Sequence, residues 1–418
     1  MIQDVNTVCD GDGEHTRGLM GLILLSLVTC GIYSFYWYYC LGNRLANNAS
    51  RYGMSFQENG TTVLLWMVIG SLLCGLLAGR LSAKNAVRLG AVLFLAGFFI
   101  ASRCQSPLTL YLGFGVLCGL GSGLSYNAVM STMVRWFPDR PGLISGVLLM
   151  GFGGGSFLIG KLYQAWTPAG VGGWRTSFLV LGIVCFAVLA VCSFFFVAPG
   201  ADFTAPAGKG DNAVSRPAAA DVTPGQMLKK TTFWLYYVWA IAVSAAGLAL
   251  ISQASGVVWQ ASADQTAASV ATIVGLISIC NAVGRVLFGG MYDKYGRSLS
   301  MQLVNILFII TAGVLILALS TRSIVVVIIG FVLGGLAYSG VTPTNSAFCR
   351  AYFGPAHYPV NFPLINSNLI FASFGSTISG ALYDASGSYN ATFFLIIGLA
   401  AAGILCSLAI SAIDKKSK

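Results

Sequence analysis

Charge is what this chain has least of. Asp and Glu number 13 and Lys and Arg 23 in 418 residues, together 9%. A soluble domain carries about 25%. With 56% hydrophobic residues, that shortage excludes a soluble protein and implies a polytopic membrane protein. The formal net charge of +10 therefore belongs to loops, and nothing else suggests a nucleic-acid surface. Histidine is almost absent: His15 and His357 lie far apart near span ends and suggest no catalytic pair. The eleven cysteines stand singly, several inside apolar runs (Cys118, Cys185, Cys280), with no C-x-x-C and no metal-ligand spacing. Buried reduced thiols are the expectation. No nucleophile–base set, phosphate-cradling loop or nucleotide domain appears, so neither an enzyme nor an ATP-driven pump is expected, and no cofactor or metal. The first seventeen residues are polar and acidic, unlike a signal peptide, so the first apolar run is expected to stay as a helix.

Apolar runs long enough to span a bilayer fall near 18–40, 61–80, 85–103, 107–132, 142–165, 175–198, 231–258, 266–291, 299–320, 323–347, 358–383 and 390–412. The Ala-, Gly-, Pro- and Lys-rich stretch 199–230 reads as a flexible linker. The expected organisation is a tail (1–17), a six-helix bundle (18–198), the linker, a second six-helix bundle (231–412) and a short tail (413–418). Placing both termini in the cytoplasm puts sixteen Lys and Arg inside and six outside, which favours that orientation in a plasma membrane. The expected state is a monomer surrounded by lipid.

One formal charge falls deep inside a span, and it is positive. Arg285 precedes the Asp293–Lys294 pair by eight residues, or about 12 Å of helix, near the middle of a core about 30 Å thick. Such a charge costs about 2.5–3.5 kcal/mol on insertion scales and normally faces a polar cavity. The alternative is an arginine snorkelling to the interface. No Asp or Glu lies mid-span, so the cavity is expected to be electropositive. Asn281 sits one turn away. Tyr338 and Asn345 lie on a polar stripe of span ten, and Tyr126 and Asn127 on span four. Asn366 and Asn368 follow Pro359 and Pro363, which free backbone carbonyls and bend or break span eleven. Gly115, Gly119 and Gly123 recur every fourth residue on span four, a spacing that suits close helix packing.

Equivalent loops follow the second span of each half. Gly289-Gly290-Met291-Tyr292-Asp293-Lys294-Tyr295-Gly296-Arg297 has a weaker copy in Gly75-Leu76-Leu77-Ala78-Gly79-Arg80. The first resembles the G-x-x-x-D-R-x-G-R-R loop of the major facilitator superfamily; in the second, Gly79 replaces the acid. The resemblance implies an all-α fold of twelve transmembrane helices in two pseudo-symmetric six-helix bundles. It also implies gating roles for Arg80, Asp293, Lys294 and Arg297, with the Asp capping a neighbouring helix. Arg135-Trp136-Phe137-Pro138-Asp139-Arg140-Pro141-Gly142 and Asn281-x-x-Gly284-Arg285 are similar to the oxalate:formate antiporter-like branch, over roughly residues 70–412, and add Arg135 to the gate. Carriers of that branch bind a dianion with an arginine on helix eight and a lysine on helix eleven. Arg285 matches the arginine, but Leu369 stands where the lysine belongs. One cation suits a monoanion better than two. Residues 14–68, with Thr29-Cys30-Gly31-Ile32-Tyr33-Ser34-Phe35-Tyr36-Trp37, resemble instead a small bacterial two-helix membrane domain of unknown function. A fused head is one reading, a drifted transporter helix the other.

These readings converge on a secondary carrier of small organic anions, monocarboxylates above all, working by alternating access. Arg285, Asn281, Asn366, Asn368, Tyr338, Asn345, Tyr126 and Asn127 are the expected substrate-binding residues. The competing expectation is a non-transporting membrane sensor or assembly protein on the same scaffold.

Overall fold

The computed structural model describes residues 61–151, 167–168, 173–200, 203, 221–262 and 264–416. The expected first span, most of the head, and Gln164 and Trp166, weaker candidates by sequence for the cavity wall near the outer end of span five, lie outside the described residues, as does most of the linker. Among the described residues, eight helices are long and apolar enough to cross a membrane.

The first half contains α1 (Thr61–Leu76), α2 (Ala83–Ser102), α3 (Leu108–Trp136), α4 (Pro141–Gly151) and α5 (Gly173–Phe195). A π-helical stretch over Tyr111–Cys118 lies inside α3 and contains Gly115. After the short helix α6 (Pro224–Lys229), the second half contains α7 (Thr231–Ala261), α8 (Ala267–Tyr295), α9 (Arg297–Thr321) and α10 (Ile324–Phe353). It continues with α11 (Tyr358–Asn366), α12 (Asn368–Ala372), α13 (Phe374–Ser386) and α14 (Asn390–Lys416). Span eleven is thus one crossing in three pieces, interrupted at Ser367 and Ser373, past the proline pair.

Local chemistry sets the helix ends. Ser82 caps α2 by accepting from the Asn85 amide at 3.3 Å, and Thr266 caps α8 through Ser269 at 3.2 Å. α8 stops at Gly296, where φ is 81°, a backbone angle that glycine adopts without strain. Packing repeats between halves: α1 lies on α3 as α8 lies on α10, and α2 lies on α5 as α9 lies on α14. The core of the second half centres on α7, where Tyr236 stacks on Phe348 with centroids 3.6 Å apart. Trp239 beside it is fully buried and donates to Asn305 Oδ1 at 3.0 Å.

The end of the expected flexible linker is ordered. Thr223 and Gln226 form a reciprocal capping box around Pro224 at the start of α6, and Met227 is fully buried. Just before it, the Val222 amide donates to the Phe353 carbonyl at 3.0 Å, and Asp221 accepts from the Ala356 amide at 2.9 Å. These bonds tie the strap to the turn between α10 and α11. Composition obscured this because capping depends on the order of four residues, not on their polarity.

Candidate functional site

The two halves meet at the end of the molecule that carries Asp293. Glycines make the approach possible: a β-carbon on Gly75 of α1 would overlap the Pro359 carbonyl, and one on Gly146 of α4 would overlap the Arg285 carbonyl. Among the described residues, polar bonds cross this seam at several points, four of which tie the helices directly. Asp293 accepts from the Gly142 and Leu143 amides at 2.9 and 2.7 Å, so its carboxylate caps the start of α4 in the opposite half. Asn127 Nδ2 donates both to Ser71 O at 2.7 Å, within its own half, and to Pro359 O at 2.8 Å, across the seam. The hydroxyls of Ser145, Ser346 and Tyr358 form a buried chain that joins α4 to α10 and α11. Arg285 makes the fourth.

Arg285 is 9% exposed, and its Nη1 donates to the Leu149 carbonyl of α4 at 2.9 Å. Its Nε donates to Asn281 Oδ1 at 3.3 Å, one turn back on α8. Tyr338 and Tyr126 are its electrostatic neighbours, one from each half. The guanidinium therefore sits at the seam between the bundles, not at a membrane interface. Of the eight expected substrate-binding residues, Asn281, Tyr126 and Tyr338 lie against the guanidinium. The Leu149 carbonyl was missed, because a backbone acceptor leaves no mark in a side-chain pattern.

A cavity of about 10 Å³, room for roughly one water, lies between Leu64, Met67, Val68 and Ser71 of α1, Tyr126 of α3, and Pro363, Asn366 and Leu369 of the broken crossing. Position 369 thus faces the seam.

The remaining polar residues divide by their partners. Asn345 is 1% exposed, accepts from Tyr236 at 2.8 Å and donates to Asn366 and Asn368 at 3.3 and 3.4 Å. Asn368 is fully buried and donates to Ala240 O and Ser244 Oγ, both at 3.0 Å. Asn345 and Asn368 therefore bind α7, α10 and the broken crossing to one another, while Asn366 reaches the cavity. Arg297 is 4% exposed and is held within its own half, donating to Tyr352 at 2.9 Å and to Ser411 and Asp414 at 3.0 Å. It fastens α9 to α10 and α14 rather than one bundle to the other. Arg80, Arg135 and Lys294 are exposed at the Asp293 end, with the Lys294 ammonium 5.0 Å from the Tyr295 ring centroid. Among the described residues, no cluster of His, Cys, Asp and Glu is arranged to hold a metal ion.

Comparison with known proteins agrees with this architecture. The chain is 27% identical over 400 residues to the oxalate:formate antiporter of Oxalobacter formigenes, covering 92% of this chain and 90% of that one. It is 25% identical to monocarboxylate transporter 13 of Rattus norvegicus, over 81% and 76% of the two chains. An uncharacterized transporter of Escherichia coli, YhjX, is 27% identical over 61% of each chain, so that match spans about three-fifths of the relative. Among solved structures, the transporter FucP in an outward conformation superposes with a TM-score of 0.59 at 12% identity, over 88% of this chain and 95% of that one. The human organic anion transporter MFSD10 superposes with the same score at 14% identity, over 86% and 87%. At such identities these two show the fold alone. The sequence model of the Major Facilitator Superfamily matches residues 19–367 and 265–418. With its repeated helix pairs and its multiple apolar crossings, the chain belongs to that family, one of membrane transporters and not of enzymes.

Proposed function

We propose that this protein is a secondary active transporter of small organic anions, monocarboxylates first among them, working by alternating access between its two halves. The observation that carries the reading is Arg285, a buried guanidinium at the seam with tyrosines from both halves beside it. Its planar fork can grip a carboxylate through two parallel hydrogen bonds. In the proposed site Arg285 binds the anion, Asn281 orients the guanidinium, and Tyr126, Tyr338 and Asn366 complete the shell. Asn345 and Asn368 position the helices behind that shell. Leu369 in place of a second cation favours monoanions over dianions. The similarity to an oxalate:formate antiporter and to monocarboxylate transporters supports carboxylates as the class.

The proposed orientation puts both termini and the linker in the cytoplasm, which makes the Asp293 end cytoplasmic. Counterflow tests the proposal: proteoliposomes loaded with unlabelled formate, acetate or lactate should accumulate the labelled anion. Binding without exchange would favour a sensor instead.

A further inference from the structure

Pro363 has no N–H, so the carbonyl four residues back, on Pro359, has no i→i−4 donor from its own helix. That carbonyl accepts from Asn127 Nδ2 at 2.8 Å, and Asn127 belongs to the other half of the molecule. The same nitrogen donates to Ser71 O at 2.7 Å, so the two amide protons serve one carbonyl on each side of the seam. Gly75 lets α1 lie directly against Pro359. Asn127 is fully buried, and among the described residues its Oδ1 has no hydrogen-bond donor. The residue therefore gives two bonds and receives none, an arrangement suited to a contact that must be broken and remade.

From this we infer that Asn127 and the carbonyl freed by Pro363 form the lock that closes the carrier at its Asp293 end. Asn127 is then a positioning residue of the transport cycle and not a substrate ligand. In the opposite conformation water takes its place on Pro359, as it can on any carbonyl exposed at the mouth of an open cavity. The proline is the unusual half of the device. It supplies an acceptor where an unbroken helix offers none, so the lock costs the second bundle no hydrogen bond of its own. The inference rests on the alternating-access reading but does not depend on which anion is carried.

The test is amide hydrogen exchange, read by mass spectrometry on the purified full chain without substrate. Asn127→Leu keeps the branched outline, slightly enlarged, and removes both donors. Pro363→Ala supplies an N–H that competes with Asn127 for the Pro359 carbonyl. Each should shift the open-to-closed ratio at this end by about fivefold, the weight of one ordinary hydrogen bond. Uptake should rise in segments 137–146 and 353–362. It should fall at the opposite end, around 262–266 and 386–390, as that side closes. The double variant should exceed neither single variant, because both act on one bond. Equal increases at both ends would mean mere loosening, and additive effects would mean two unrelated contacts. Either result overturns the lock, as does unchanged exchange. Gly75→Ala, which wedges a methyl group against Pro359, carries the same test where Asn127→Leu does not fold. Loss of carboxylate counterflow with the exchange pattern intact would sink the anion reading and leave the lock standing.

Discussion

Substituting Leu369 by lysine should move the carrier's preference from monoanions towards dianions. The side chain at 369 lines the seam cavity together with Ser71, Tyr126 and Asn366. A lysine there meets oxygen acceptors from both halves, and its flexible stem can replace the leucine along the apolar wall. At an effective dielectric constant near 20, a cation about 6 Å from a second carboxylate attracts it by roughly 2.8 kcal/mol. Removing the ammonium from water offsets much of that gain, so a shift of roughly three- to tenfold in the dianion-to-monoanion ratio is the expectation. Counterflow into proteoliposomes measures it, with acetate and lactate compared against oxalate and malonate at matched concentrations. The folded fraction is checked by size-exclusion chromatography. A monodisperse Leu369→Lys protein with an unchanged ratio would refute the reasoning, because charge added beside the anion must alter selectivity.

Other expectations concern stability, topology and the head. Asp414 accepts from Arg297 Nη2 at 3.0 Å and from the Tyr352 hydroxyl at 2.6 Å, so Asp414→Asn should cost about 1–2 kcal/mol. A Tm in detergent equal to that of the parent would show the cluster to be inert. Cysteines introduced by Gly210→Cys and Lys416→Cys should resist a membrane-impermeant thiol reagent in intact cells, whereas Asn47→Cys should react. Labelling of Gly210→Cys would overturn the twelve-span arrangement. Deleting residues 1–60 should give an aggregated or inactive protein, because polar surface of the first half would then face lipid. Normal transport by the monodisperse truncation would make the head an accessory.

Some of this architecture was legible in the sequence. Arg285 was expected to face the interior, and it is buried at the seam; the Asp293 cap was what the resemblance of its loop to the major facilitator pattern implied. What escaped has a common cause. A polar residue in a span must face protein or water, and the pattern does not say which. Asn345 and Asn368 bind neighbouring helices, Asn366 reaches the cavity and Asn127 bridges the halves, yet all four read alike as polar positions on apolar helices. Backbone acceptors such as Leu149 O carry no sequence signature at all. The Pro359 carbonyl is the exception, since Pro363 at the fourth position announces a missing donor. Arg297, in the same loop as Asp293, turns inward to Asp414 because its long stem can reach α14.

Uptake by Arg285 variants tests the central claim most directly. Labelled monocarboxylate counterflow should vanish in Arg285→Gln while the protein stays folded. Arg285→Lys should retain only part of the activity, since a point charge replaces a planar fork. The account predicts that order, wild type above lysine above glutamine. Uptake by Arg285→Gln at the wild-type rate would contradict it, for the anion would then be held by some other group.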